Sequence, residues 1–391
     1  MNWRREQPVS SLTAERLRVT VLSAALDDEV RMSFSSLRSR RTCIVEVEAG
    51  GLVGVGESWI NYPDWGYRER VATLCEGIAP HLLGTDVSDP VAVQERLTAA
   101  TLSIGRQWGA LGPIWQAVSG VDLALWDLRG KAEGKPVAAL LAPAPARTSA
   151  PAYASGIGPD RVDHWCKIAL ADGFAAAKVK LGFGAERDRA TLRTASAVLG
   201  ADVGLLADVN QGWTVDEACE MAPDLRAHQV RWLEEPIAGN RLEDLEELAD
   251  RTGLPLATGE NTYGLAQLLR YTASPAVGTI QPDLAKCGGI TIASRVAARA
   301  AETGTALAPH CYGSAVGIAA SLHLAAAFPD VGPVELDVRD NPFRTELISP
   351  ALRLDGGRLD IPTGPGLGFD LDRDTVTRYR IHQEERTRHD L

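Results

Sequence analysis

Asp208 closes the run GLLAD, Glu234 closes VRWLE and Glu260 closes PLATGE. The three acids recur at one interval of 26 residues, the length of a strand, a helix and two short loops. Successive strands of a parallel barrel end side by side on one face, so this spacing gathers three carboxylates at one place. Carboxylates crowded in a pocket repel one another unless a cation joins them. The pattern predicts a divalent-metal site at Asp208, Glu234 and Glu260.

The flanking strand ends carry the rest of the chemistry. AAKVK ends in Lys178 and Lys180, and the two-residue period of a strand points both ammonium groups inward. Asn210 follows Asp208 at the same spacing, Glu235 is expected to face away from Glu234, and the later strands end in Asp283, His310 and Glu335. A single ionisable strand end is an ordinary loop salt bridge. Seven in succession are costly to bury without function. With the metal on the middle strands, Lys180 and His310 are expected to face each other across whatever it binds. Asp283 ends the strand beside His310 and is expected to bond the imidazole, fixing its tautomer and raising its basicity. This arrangement suits removal of a proton α to a carboxylate through an enediolate that the metal stabilises. As the base, Lys180 must titrate below the usual lysine range, and Lys178 and the cation are expected to push it down.

These residues need a scaffold of repeated β/α units. Strands are read at PAYAS, AAKVK, GLLADV, VRWLEE, PLATGE, TIQPD, ALAPH and PVELD, separated by amphipathic helices. That is an α/β fold: a (β/α)8-type barrel, with the last helix open to replacement, over 143–350. An open doubly wound sheet is disfavoured, since no glycine-rich phosphate loop follows the first strand. Residues 1–142 read as an α+β capping domain: RLRVTVLSA, TCIVEVEA and GGLVGVGES as strands, a hairpin at Gly50-Gly51, then helices with a stop at Gly134. The 351–391 segment is expected to return to the cap.

The chain has 391 residues with 40 basic against 51 acidic side chains. The net −11 argues against nucleic-acid and anionic-membrane partners. Six scattered cysteines without a CxxC pair read as free thiols in a reducing compartment. No apolar stretch follows the N-terminal arginines and no run could span a bilayer, so a cytoplasmic, soluble protein is expected, assembled as a homo-oligomer around a small carboxylate substrate.

The motifs AAKVKLG, ADVNQG, WLEEP, ATGEN, QPDLAKCGG, LAPH and PVELD resemble, in order and over nearly the whole chain, the enolase superfamily and its mandelate racemase subgroup. The resemblance implies Mg2+ on Asp208, Glu234 and Glu260. It makes Lys180 one base, Lys178 its modulator and a contact to the substrate carboxylate, and Asp283–His310 the opposite acid/base. Glu335 becomes a protonated hydrogen-bond donor to the enediolate, and Asn210 a substrate contact. The muconate-lactonizing type places a lysine where Asp283 stands and commonly an aspartate where Glu260 stands. Lys286 is expected on the far side of its strand end.

Two capping segments, 32–41 and 58–67, are expected to select the substrate. Arg38, Arg40 and Arg41 in the first suit a polyhydroxylated acid, with a second anionic group conceivable. Trp59, Tyr62, Trp65 and Tyr67 in the second suit a sugar face or an apolar ring. The leading expectation is an acid-sugar dehydratase giving a 2-keto-3-deoxy acid. A racemase or epimerase of a 2-hydroxy acid is the alternative, and a catalytically idle barrel the third.

Overall fold

A computed structural model describes residues 12–142, 144 and 147–390. The arginine-bearing N-terminal run and part of the proline-rich connector lie outside these residues.

Alternation builds the capping sheet. Strands β1 (Ala14–Arg31), β2 (Ser36–Ala49) and β3 (Leu52–Ser58) pair antiparallel in that order. Leu17, Val19 and Val21 pack with Val45 and Val47 beneath one helical layer, whereas Leu22, Ala24 and Ile44 join the barrel's core. That layer is α1 (Pro90–Trp108), whose N-cap Asp89 accepts from Val91 and Ala92, and α2 (Leu111–Glu133), which ends at left-handed Gly134. The β2–β3 turn is Gly50-Gly51, both at positive φ, which suits the twist of a two-residue hairpin. Gly54 lets β3 approach α2, since a Cβ there would lie 2.0 Å from Ala124 O. The 32–41 segment is not all loop. Residues 36–41 lie in β2, where pairing with β1 (Val30↔Leu37, Ala24↔Arg40) overrides their weak strand propensity.

All eight barrel strands form: β4 (Ser149–Ile157), β5 (Ala176–Lys180), β6 (Gly204–Asp208), β7 (Leu233–Glu234), β8 (Leu256–Thr258), β9 (Val277–Ile280), β10 (Ala306–Leu307) and β11 (Val334–Asp337). Each pairs parallel with its neighbour from β4 to β10, and β11 pairs with β4. The β10–β11 seam is spanned by a Leu307–Val331 bridge and by Gly332 N donating to Leu307 O at 2.5 Å. Helices α3 (Val162–Ala171), α4 (Ala185–Leu199), α5 (Val215–Ala227), α6 (Leu242–Thr252), α7 (Leu265–Ala273), α8 (Gly289–Thr303) and α9 (Ala315–Ala327) follow the first seven strands. After β11 only a single turn, α10 (Pro342–Thr345), stands in the eighth place.

Beyond it the chain first crosses the barrel's N-terminal end. There β12 (Leu354–Asp355) and β13 (Arg358–Asp360) make a hairpin whose second strand pairs with the start of β4. Helix α11 (Arg373–Tyr379) then leads into β14 (Arg380–Thr387), which pairs antiparallel with β1 and completes the capping sheet. Among the described residues no helix is long and apolar enough to cross a membrane.

Candidate active site

Register brings the strand ends together. Lys180 pairs with Asp208, and Asp208 with Glu234, across three adjacent strands. Lys178, Asp208, Glu234 and Glu335 are essentially sealed from solvent, and Lys180, His310, Asn210, Asp283 and Glu260 are buried around them. Lys178 Nζ lies 2.5 Å from Glu234 Oε1, 2.9 Å from Glu335 Oε1 and 3.8 Å from Asp208 Oδ2. Lys180 Nζ bonds Asp208 Oδ2 and donates to Asn210 Oδ1 at 3.0 Å. His310 Nδ1 sits 2.7 Å from Asp283 Oδ2, and its Nε2 sits 2.6 Å from Glu260 Oε2. Every strand-end residue singled out in the sequence is therefore in one buried cluster, whereas Arg38 and Trp65 of the capping segments are exposed.

The donor set suits a hard divalent cation, being three buried carboxylates on adjacent strand ends. Burial, with Asp208, Glu335 and Glu260 close by, pushes Glu234 up to about 8 in spite of Lys178. The cluster is short of positive charge at that point. Among the described residues, however, no three acidic, histidine or cysteine side chains converge on a common ion position. Each carboxylate is turned instead toward Lys178, Lys180, Gln281 or His310.

Two electrostatic expectations, for Lys180 and Glu335, are corrected, and the one for His310 holds. Burial is the largest influence on Lys180 and would lower it, but Asp208 beside it, with Glu260 and Glu234, together outweigh burial and Lys178 and hold the ammonium above its usual range. Burial would raise Glu335, but Lys178, His310 and Lys180 bring it down to about 2, so it is ionised and not a donor here. His310 goes up: burial opposes its charge, but Glu260, Glu335 and the Asp283 hydrogen bond prevail. The imidazolium is the favoured form.

One placement also differs. Lys286 is not on the far side of its strand end. It is buried at 2% exposure, 2.8 Å from Asn261 Oδ1, and lies 4.6 Å from the centre of the Trp59 ring. Glu235 does turn away from Glu234, yet it stays buried, at positive φ, accepting from Gln211 Nε2 at 3.0 Å and Asn261 Nδ2 at 2.9 Å. Gln281 was overlooked although it stands two residues before Asp283, on the same strand face. It donates to Glu234 Oε2 at 2.6 Å. Tyr312 carried no signal except its place two residues past His310.

The cap roofs this cluster. Ser33 Oγ donates to Val209 O at 2.7 Å, Trp59 N to Ala285 O at 3.2 Å, and Asn61 Nδ2 to Tyr312 O at 2.6 Å. Glu57, at the end of β3, accepts from Ser314 N and Gly317 N, both at 2.9 Å, at the start of α9.

Comparison with known proteins agrees with this architecture. Residues 16–142 match the mandelate racemase/muconate lactonizing enzyme N-terminal domain, and residues 161–375 match the enolase C-terminal domain-like family. The chain is 32% identical to a D-galactarolactone cycloisomerase from Agrobacterium fabrum, over 93% of this chain and 98% of that one. It is 29% identical to an arabinonate dehydratase from Saccharolobus solfataricus, over 86% and 89%. A solved L-talarate/galactarate dehydratase variant, liganded with Mg and L-glucarate, superposes with a TM-score of 0.85 at 28% identity, covering 97% of this chain and 94% of that one. These relatives are acid-sugar dehydratases and cycloisomerases, and the chain belongs to the mandelate racemase/muconate lactonizing enzyme family of the enolase superfamily.

Proposed function

We propose that the protein is an Mg2+-dependent dehydratase of acid sugars, yielding 2-keto-3-deoxy acids. The observation that carries this reading is the juxtaposition of Lys180 with a His310 imidazolium held by Asp283, around three buried carboxylates. When bound, the cation would take Asp208, Glu234 and Glu260 as ligands, hold the substrate carboxylate, and draw Asp208 off Lys180 so that the amine becomes a usable base. Lys180 Nζ removes the α-proton. His310 gives its proton to the β-hydroxyl, which leaves as water, and Asp283 keeps the ring aimed and stabilises its charge. Lys178, between Glu234 and Glu335, stays protonated and lies where it can meet the substrate carboxylate. Asn210, bonded to Lys180 and Asp208, positions the base.

A screen of aldonic, aldaric and uronic acids with a 2-keto-acid readout tests the reading, and failure across all three classes overturns it. Lys180→Ala and His310→Asn should each lose on the order of 10²–10⁴-fold or more in turnover with the fold intact. The His310 variant should still exchange the substrate's α-proton with solvent deuterium. Wild-type turnover by His310→Asn would remove the histidine from the mechanism. The cycloisomerase relative supports a second reading. A lactone whose ring oxygen sits on the β-carbon presents the same pair with a different leaving group, so lactones belong in the screen.

A further inference from the structure

Arg40 is an arginine from the cap buried to 2% exposure, and most of its bonding capacity is unused. Its Nη2 pairs with Asp337, two residues past Glu335 on β11, while Nε and Nη1 are buried without any hydrogen-bond partner. The guanidinium lies 4.7 Å from the centre of the Tyr312 ring, and Lys180 Nζ lies 5.9 Å from the centre of the same ring. The Tyr312 hydroxyl is also buried and faces the Arg40 guanidinium with no acceptor for its own proton, and the neighbouring Tyr62 hydroxyl meets only the Met32 sulfur, at 3.3 Å. A buried donor left unmet is costly, so three around one ring next to the base need an acceptor the fold does not supply.

Charge narrows the identity of that acceptor. Arg339 is buried beside the pair with its own donors spent on Gly156 O, Gly158 O and Glu29 O. Arg40, Arg339 and Arg161 gather against Asp337 and Asp28, which leaves one positive charge uncompensated. A hydroxyl would satisfy a donor and leave that charge unmatched. A carboxylate does both, and a guanidinium's fork matches it two bonds at a time.

Resting on the dehydratase reading for the orientation of the substrate, we propose that Arg40 and Tyr312 form a distal subsite for a second carboxylate. The preferred substrates are then diacids of the aldaric type rather than monoacids. The α-carboxylate lies toward Lys178 and the three acids, the reacting carbons lie by Lys180 and His310, and the far carboxylate reaches the Arg40–Tyr312 donors.

The test compares D-galactarate with D-galactonate and D-glucarate with D-gluconate, both as substrates and by thermal shift of the Mg2+-loaded protein. The wild type should favour at least one diacid over its monoacid. Tyr312→Phe removes a hydroxyl whose neighbour in the fold is the Arg40 guanidinium and should cut that preference about 10-fold. Arg40→Met alone would strand Asp337, so it is paired with Asp337→Leu, which removes both buried charges. This double variant should cut the preference on the order of 10- to 100-fold. An unchanged diacid-to-monoacid ratio in both variants overturns the subsite whatever the absolute loss, and makes Arg40 a pin between cap and barrel. Turnover failure alone counts against the dehydratase reading. The binding ratio decides the subsite without it, and equal shifts for diacid and monoacid in the wild type overturn it.

Discussion

Replacing Glu57 with glutamine is expected to destabilise the protein by about 2–4 kcal/mol, although the two side chains have nearly the same shape. Glu57 is buried at 1% exposure between cap and barrel. It accepts from Thr42 Oγ1 at 2.7 Å, Ser314 N at 2.9 Å, Ser314 Oγ at 2.7 Å and Gly317 N at 2.9 Å. Hydrogen bonds to a charged acceptor contribute about 1.5–3 kcal/mol each, and a negative charge at a helix N-terminus adds up to about 2. Against this stands the cost of desolvating a carboxylate, several kcal/mol, which also raises its titration above the ordinary 4.5. Glutamine relieves that cost but offers one acceptor oxygen and turns an NH2 toward backbone donors, so at least one N–H of α9's first turn is left unmet. The raised titration shows that burial outweighs the hydrogen bonds for the charge itself, so the loss in the variant comes from the N–H left unmet and from the NH2 turned toward other donors. Urea unfolding at pH 7, followed by circular dichroism with the slope unchanged, measures the difference. A variant as stable as wild type, or more stable, would refute the reasoning by showing that desolvation dominates. The sign with pH is a further check. A folded-state value above the unfolded one means the unfolded chain ionises first, so wild-type stability should fall as pH rises above 4.5, and the glutamine variant should lack that component.

His323 is buried in α9, accepts Ala138 N at 3.2 Å and is pushed by burial from 6.5 down to about 4. The unfolded chain therefore protonates first, and stability should be lost as pH falls from about 6.5 to 4, by up to about 3 kcal/mol. Chemical denaturation of His323→Leu across that range should show a correspondingly smaller loss, and an unchanged slope would exclude His323 as its source. Gly259, at φ +140 just before Glu260, would place an added Cβ 2.7 Å from Gln281 N, whereas Gly253, at φ +62, would meet nothing within 4 Å. Both alanine variants carry backbone strain of about 1–3 kcal/mol, but only Gly259→Ala should also displace Glu260 and abolish turnover. Equal activity of the two variants would show that the β8–β9 crossing does not position the glutamate.

The strand-end chemistry was legible because it obeys two periods that leave a mark in the sequence. The 26-residue interval aligned Asp208, Glu234 and Glu260, and the two-residue alternation placed Lys178 with Lys180 and would have added Gln281 to Asp283. What escaped was set by contacts between distant parts of the chain. Arg40 and Asp337 are 297 positions apart, and Glu57 and Ser314 are 257 apart. No local pattern announces such partners. Glu235 faces away from Glu234 as alternation requires, but its partners Gln211 and Asn261 come from other strand ends and leave no local mark. Lys180 was read with Lys178 and a cation as its neighbours. In the folded chain Asp208 is closer and, with Glu260 and Glu234, keeps it charged.

The pairing of β14 with β1 has a consequence for synthesis. A ribosome delivers β1 before the barrel and β14 only after it. Throughout that interval the outer edge of an 18-residue strand stands open, and an unpaired edge of that length invites association with other nascent chains. Part of the remedy is written on the strand itself. Arg16 and Arg18 sit on it, and they later meet Glu385 across the finished sheet. The same arginines thus act twice: first beside Glu48 and Glu46 of β2 as charged side chains that make the open edge a poor template for another chain, then as partners that receive the closing strand.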